Sequence, residues 1–242
     1  ANTPEKLPLL TTPIQNNDNV WNGYNFFTRI VGSENPDAIQ LVLNWADSPE
    51  KLALLTALIQ SNNYVFNGYN FFTRLAATGE PDKIQLVLNW ANTDKKLALL
   101  TSPIQNNDNV WNGYNFFTHL PSTGYPDAVK HTLDWADSPK KIAILATQIQ
   151  DNNEDNGFNF FTLLTANENP DAIKHTLDWA DSSEKLALLT APIQNNHEYH
   201  GYNFFTRLPA TGYPDAIKHT LDWADTTENL PLLTTPIQNN DN

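Results

Sequence analysis

The 242-residue chain contains no cysteine and no methionine, and only 17% of its residues are charged. Without cysteine, neither disulfides nor thiolate-bound metal sites can form. No apolar run approaches the roughly 18 residues that a membrane-spanning helix needs, and no segment has the pattern of a signal peptide. We therefore expect no membrane partner and a cytoplasmic location.

Basic residues are also scarce, because 14 Lys and Arg face 27 Asp and Glu, for a net charge of −13. A field of this sign repels a phosphate backbone, so we expect no nucleic-acid partner. The hydrophobic content of 40% is sufficient for a buried core. The start at Ala1 and the lack of methionine lead us to expect a processed, excised or engineered piece.

The stretch NGYNFF at residues 67–72 recurs five times with small changes. Its glycines are Gly23, Gly68, Gly113, Gly157 and Gly201, so the spacings are 45, 45, 44 and 44 residues. A period of this length predicts stacked repeats in one solenoid domain over residues 1–242. A third-helix segment at 1–19 precedes repeats 1 to 5, at approximately 20–64, 65–109, 110–153, 154–197 and 198–242.

Each repeat is predicted to contain three short helices. Asn70 precedes FFTRLAA and can cap the first helix, Pro81 suits the first turn of the second, and Ser48 precedes the third. An Ile-Gln pair follows the third helix, and proline precedes four of its copies, at Pro13, Pro103, Pro192 and Pro236. Proline predicts a helix end there, whereas Leu58 and Gln148 let the helix run further in the other two copies.

Residues 67–91, NGYNFFTRLAATGEPDKIQLVLNWA, resemble the ankyrin repeat. Gly68 matches the turn glycine of that family, Asn70 its helix-capping threonine and Gly79 its inter-helix glycine. Phe71 and Thr73 depart from it, because they replace the proline and the histidine. Ankyrin units are about 33 residues long, so the excess corresponds to the inserted third helix.

The resemblance implies an all-α, open, right-handed α-solenoid of tandem three-helix repeats. By family habit it implies a non-enzymatic scaffold that binds a protein or peptide. Ankyrin-like arrays with irregular periods are also similar to parts of effectors that intracellular bacteria deliver into host cells. This analogy rests on the fold and adds the host cell as an expected location.

The histidines and acidic residues at repeated positions give little indication of a metal site or a catalytic site. His131, His175 and His219 occupy equivalent positions, which stacked helices hold about 10 Å apart, whereas zinc ligands lie about 2.0 Å from one metal. Acidic pairs such as Asp134 with Asp137 recur at a helix boundary, as solvated caps do. We therefore expect no metal site, no catalytic residue and no cofactor.

Two sets of residues that vary between repeats are candidate binding residues. The aromatic set stands just before each turn and the basic set lies early in the first helix: Trp21, Phe66, Trp111 and Tyr199; Arg29, Arg74, His119 and Arg207. Aromatic residues and arginine are frequent hot spots. Ankyrin-like geometry implies loop tips for the first set and the concave face for the second. Alternatively, the aromatics cover the preceding repeat and the arginines meet acidic surface.

Two other functions stay open at this stage. The chain could be a structural or designed repeat protein without a natural ligand, or, less favoured, an α/α-barrel enzyme with a central acidic cleft. Exposed side chains at Trp21, Phe66 and Trp111 would favour binding. Their burial would favour the structural repeat protein without a ligand, which we call a structural spacer.

Overall fold

The computed structural model of the chain describes every repeat. The described residues are 4–15, 21–60, 66–105, 110–150, 152, 154–166, 169–196, 198–226, 228–234 and 236–237. Their regular secondary structure is entirely helical, without a strand. The all-α prediction is therefore confirmed for this part of the chain.

The first helix of each repeat follows the Gly turn. These helices are α1 (Phe26–Ile30), α4 (Phe71–Ala76), α7 (Phe116–His119), α10 (Phe160–Leu164) and α13 (Phe204–Arg207). Asn70 Oδ1 accepts hydrogen bonds from the amides of Phe72 at 2.9 Å and Thr73 at 3.0 Å, which confirms the predicted cap. In repeats 3 and 5 a proline lacks the amide donor that an α-helix needs, and the helix continues as η2 (Leu120–Thr123) and η3 (Leu208–Thr211).

The second helix begins in every repeat at the predicted proline. These helices are α2 (Pro36–Trp45), α5 (Pro81–Trp90), α8 (Pro126–Trp135), α11 (Pro170–Trp179) and α14 (Pro214–Ala224). In α5, Ile84, Val87 and Leu88 are buried, as their common face predicts.

The third helices are α3 (Pro49–Leu54), α6 (Asp94–Leu100), α9 (Pro139–Leu145) and α12 (Ser183–Leu189). At the two ends of the chain the same segment forms the 3₁₀ helices η1 (Pro4–Thr11) and η4 (Leu230–Thr234). Pro8 and Pro231 replace an alanine of the internal copies there, and proline disrupts α-helical hydrogen bonding.

One boundary prediction is wrong. The copies with Leu58 and Gln148 do not extend the third helix, since α3 ends at Leu54 and α9 at Leu145. The backbone instead leaves the helix to pair with the next turn. The Ile59 amide donates to the Tyr69 carbonyl at 2.7 Å, and the Gly68 amide donates to the Ile59 carbonyl at 2.9 Å. The same pair of bonds forms at Ile14, Ile104, Ile149 and Ile193, with or without a preceding proline.

The chain forms two compact parts, an N-terminal part (Ala1–Phe116) and a C-terminal part (Phe117–Asn242). Within the N-terminal part α2 packs beside α5, and α1 packs beside α4. Within the C-terminal part α11 packs between α8 and α14. Equivalent helices of consecutive repeats thus bury one another inside each part.

Candidate binding surfaces

Three residues of the aromatic set each contact an arginine of the basic set. The Arg29 guanidinium carbon lies 3.7 Å from the centre of the Trp21 ring, and that of Arg74 lies 4.1 Å from the Phe66 ring. Arg207 and Tyr199 form the same pair at 5.0 Å. The reason is local: the turn at the glycine reverses the chain, so the residue before it meets the first helix after it.

Several of these side chains also reach the preceding repeat. Arg207 Nη1 donates to the Thr162 carbonyl at 2.9 Å and to Thr165 Oγ1 at 2.7 Å. Burial raises the pKa of the Tyr24 hydroxyl, and the positive charge of Arg74 in the next repeat lowers it in part. Arg207 therefore meets aromatic rings, a hydroxyl and a backbone carbonyl.

Trp111 and His119 have their own contacts within each part. Trp111 is half-buried and packs edge-on against Tyr114 at 5.1 Å between ring centres. His119 is buried, and the Ser122 hydroxyl lies 3.2 Å from its Nδ1 atom. Trp21, Phe66 and Tyr199 are half-buried too, while Arg29 is exposed. A binding role for the two sets stays a prediction.

A second aromatic cluster, which the sequence analysis missed, joins the three helices of a repeat. Phe72 stacks on Trp90 at 5.5 Å, and the Lys96 ammonium lies 4.7 Å from the same indole. The equivalent trios are Phe27, Trp45 and Lys51; Phe117, Trp135 and Lys141; and Phe161, Trp179 and Lys185. The constant six-residue spacing from Trp to Lys could have indicated this cluster.

A polar groove of about 430 Å³ lies in the C-terminal part, lined by α8, α11 and α12. Asp134, Asp137, Asp178 and Asp181 line it, and each forms an ion pair with a lysine four residues away. The hydrogen bond from Lys185 holds the pKa of Asp181 below its usual value. The charges are therefore largely balanced. Among the described residues no three His, Asp or Glu side chains converge as a metal site would require.

An apolar groove of about 320 Å³ lies in repeat 1. Its lining residues are Leu10, Phe26, Phe27, Ile30, Ala38, Leu41, Val42 and Trp45. Phe26 is 51% exposed and Leu41 is 69% exposed, whereas Phe71, the equivalent of Phe26 in repeat 2, is fully buried. Inside the N-terminal part, α1 and α2 cover the corresponding side of repeat 2. Among the described residues no α-helix covers this groove as α1 and α2 cover repeat 2, and η1 contributes only Leu10 to its lining.

No protein-family model, curated protein or solved structure matches the chain. The likeness to ankyrin repeats therefore stays a prediction. None of the described helices has the length and apolar character needed to cross a bilayer.

Proposed function

We propose that the chain is an open, ankyrin-like α-solenoid and a non-enzymatic scaffold that binds a protein or peptide. The packing of α2 beside α5, and of α8, α11 and α14 in order, supports this architecture. On this proposal the chain works in the cytoplasm, either of its own cell or, as an effector does, of a host.

The exposure of the apolar groove carries the binding proposal. Phe26 and Leu41 present large apolar side chains to solvent beside Val42 and Trp45 in a single concavity. A concave apolar surface with aromatic walls is typical of a ligand site, and contiguous apolar patches commonly mark interaction sites.

The kind of ligand can be inferred from the helices α1 and α2, which cover the equivalent surface of repeat 2. There the partners are helices, and the contacts come from their apolar faces. An amphipathic helix with Leu or Ile at i, i+3 and i+4 or i+7 therefore matches the groove. The ligand class that we propose is a helical segment of a protein, bound by its apolar face.

A fluorescein-labelled, charge-balanced Leu/Glu/Lys helical peptide can test this proposal by anisotropy titration. We expect saturable binding to the intact chain and at least about tenfold weaker binding to Leu41→Asp, because a buried unpaired carboxylate is costly. A peptide of the same composition with scrambled leucines should not bind.

Val110→Asp is the matched control for this titration, because Val110 is exposed and lies outside the groove. This variant should bind the peptide like the unchanged chain. Absence of saturable binding, or equal binding by Leu41→Asp, would reject the groove as a binding site.

A structural spacer is the second candidate, and the Arg–aromatic pairs favour it. Arg207 donates hydrogen bonds to Thr162 and Thr165 of the preceding repeat, as a residue that joins two repeats is expected to do. A spacer requires no ligand, so it predicts a flat anisotropy titration with a folded chain.

A further inference from the structure

The internal junction between repeats shows which contacts cover a groove of this kind. In the N-terminal part, Leu43 of α2 is buried at the junction with α5, and the Trp90 indole Nε1 donates to the Leu43 carbonyl at 3.0 Å. Leu177 of α11 occupies the same position in the C-terminal part and is 3% exposed. In each part, therefore, the equivalent leucine of a second helix is buried where the next repeat follows.

The last second helix presents this leucine to solvent. Leu221 of α14 is equivalent to Leu177 but is 58% exposed, and Ile217 beside it is only half-buried. The ten residues of α11, PDAIKHTLDW, are identical to the first ten of α14. The exposed face of α14 is therefore chemically the face that α11 buries against α14.

The groove of repeat 1 offers the receiving side of the same junction. Trp45 is equivalent to Trp90 and lines the groove. Leu41 and Val42 correspond to Leu86 and Val87 of α5, which packs against α2. The exposed face of α14 and the groove on α1 and α2 thus correspond to the two sides of a contact that the chain already makes between its own repeats.

We infer that a second copy of this chain occupies the groove, with α14 of one molecule docked on α1 and α2 of the next. The inference rests on the proposed groove and names its partner. Leu221 of one copy enters the groove beside Leu41 of the other.

This association is head-to-tail, because the two contacting surfaces differ. Each bound molecule still has one unused face, so a third molecule adds by the same contact. The product is a series of linked molecules that grows with concentration beyond the dimer. A self-complementary contact would instead stop at two molecules.

Sedimentation velocity of the intact chain at increasing concentration tests this inference. The unchanged chain should form species larger than a dimer. Leu41→Asp and Leu221→Asp should each remain monomeric, because each loses one of the two faces. Both leucines are exposed, so both variants should keep the helical circular dichroism spectrum of the parent.

A mixture of the two variants provides the decisive measurement. Leu41→Asp retains an intact α14 face and Leu221→Asp retains an intact groove, so an equimolar mixture should form a one-to-one dimer and nothing larger. Val110→Asp should assemble like the unchanged chain. A monomeric parent, a parent that stops at the dimer, or a mixture that stays monomeric would overturn the inference.

Peptide binding separates this inference from the function on which it rests. The Leu221→Asp variant has a free groove, so it should bind the fluorescein-labelled helical peptide. Peptide binding without self-association would overturn the second copy as occupant and leave the binding function standing. Loss of both would overturn both.

Discussion

The turn glycine meets two separate demands in repeat 4. Gly157 has a φ of +82°, a left-handed conformation that only glycine adopts without strain. It also lies so close to the next repeat that an added Cβ atom would be 1.6 Å from the Gln194 carbonyl oxygen. Sequence periodicity identifies the turn, but only the structure shows the close approach to Gln194.

Gly157→Ala should destabilise the chain by about 3 kcal/mol, from backbone strain of about 1–2 kcal/mol and a steric clash of similar size. Gly212→Ala is the matched control, because Gly212 has a φ of +73° but an added Cβ meets nothing within 4 Å. The control should cost only about 1–2 kcal/mol in urea unfolding. Equal losses would show that the contact with Gln194 contributes nothing.

Arg207 and Arg29 occupy equivalent positions but should differ in energetic weight. Arg207→Ala removes charged hydrogen bonds to Thr162 and Thr165 and should cost about 2–3 kcal/mol of unfolding free energy. Arg29 is exposed and stacks on Trp21, so Arg29→Ala should cost about 1 kcal/mol or less.

The same urea titrations compare the two arginine variants directly. A similar cost for both substitutions would contradict the assignment of Arg207 to the joint between repeats 4 and 5. A marked loss of peptide binding in the stable Arg29→Ala variant would instead support the binding role predicted from sequence.

At the scale of single elements, helix starts are local and helix ends are not. Asn70 and Pro81 lie next to the helices that they begin, so sequence predicts those starts. The third helix ends because Ile59 pairs with Tyr69, ten residues further on. The same pairing forms in copies with and without a proline before the isoleucine, so that residue does not predict where the third helix ends.

The loop between the second and third helices is tied by an ion pair that can be titrated. Asp181 accepts from Lys185 at 2.9 Å, which lowers the pKa of the carboxyl below its usual value. Because the folded pKa is depressed, its contribution to stability is present above the unfolded pKa of about 3.9 and is lost as the pH falls through the folded value.

Lys185→Met should raise the pKa of Asp181 toward its ordinary value, because the ammonium partner that lowers it most is gone. Carboxyl ¹³C NMR titration measures this shift. Lys51→Met is the control, since Lys51 pairs with Asp47 at 2.7 Å and should release only that carboxyl. An unchanged Asp181 titration in Lys185→Met would contradict the ion pair as the cause.

At the scale of the molecule, none of the helices that the structure describes is long enough to be stable alone. The described helices have at most 11 residues, whereas isolated helices need about 12–15 to be even marginal. Stability must therefore come from packing between equivalent helices, and it should be lower where a helix has a neighbour on one side only.

Hydrogen exchange on α11 and α14 tests this dependence with closely matched sequences. The ten shared residues give nearly equal intrinsic rates, but α11 lies between α8 and α14 whereas α14 exposes Leu221. We expect amides of α14 to exchange at least about tenfold faster, because local opening follows local burial. The Leu41→Asp variant keeps α14 uncovered, and equal rates in this variant would contradict the expectation.

Capping residues and prolines were enough to predict the helical class and the starts of the second helices, because those signals act over a few residues. The ends of the third helices and the exposure of Phe26 and Leu221 were decided by tertiary structure. Equivalent positions in different repeats carry the same or similar residue types, as Leu177 and Leu221 do, so residue type alone does not predict burial. Burial depends on which neighbour covers each copy, and that is a property of packing rather than of local chemistry.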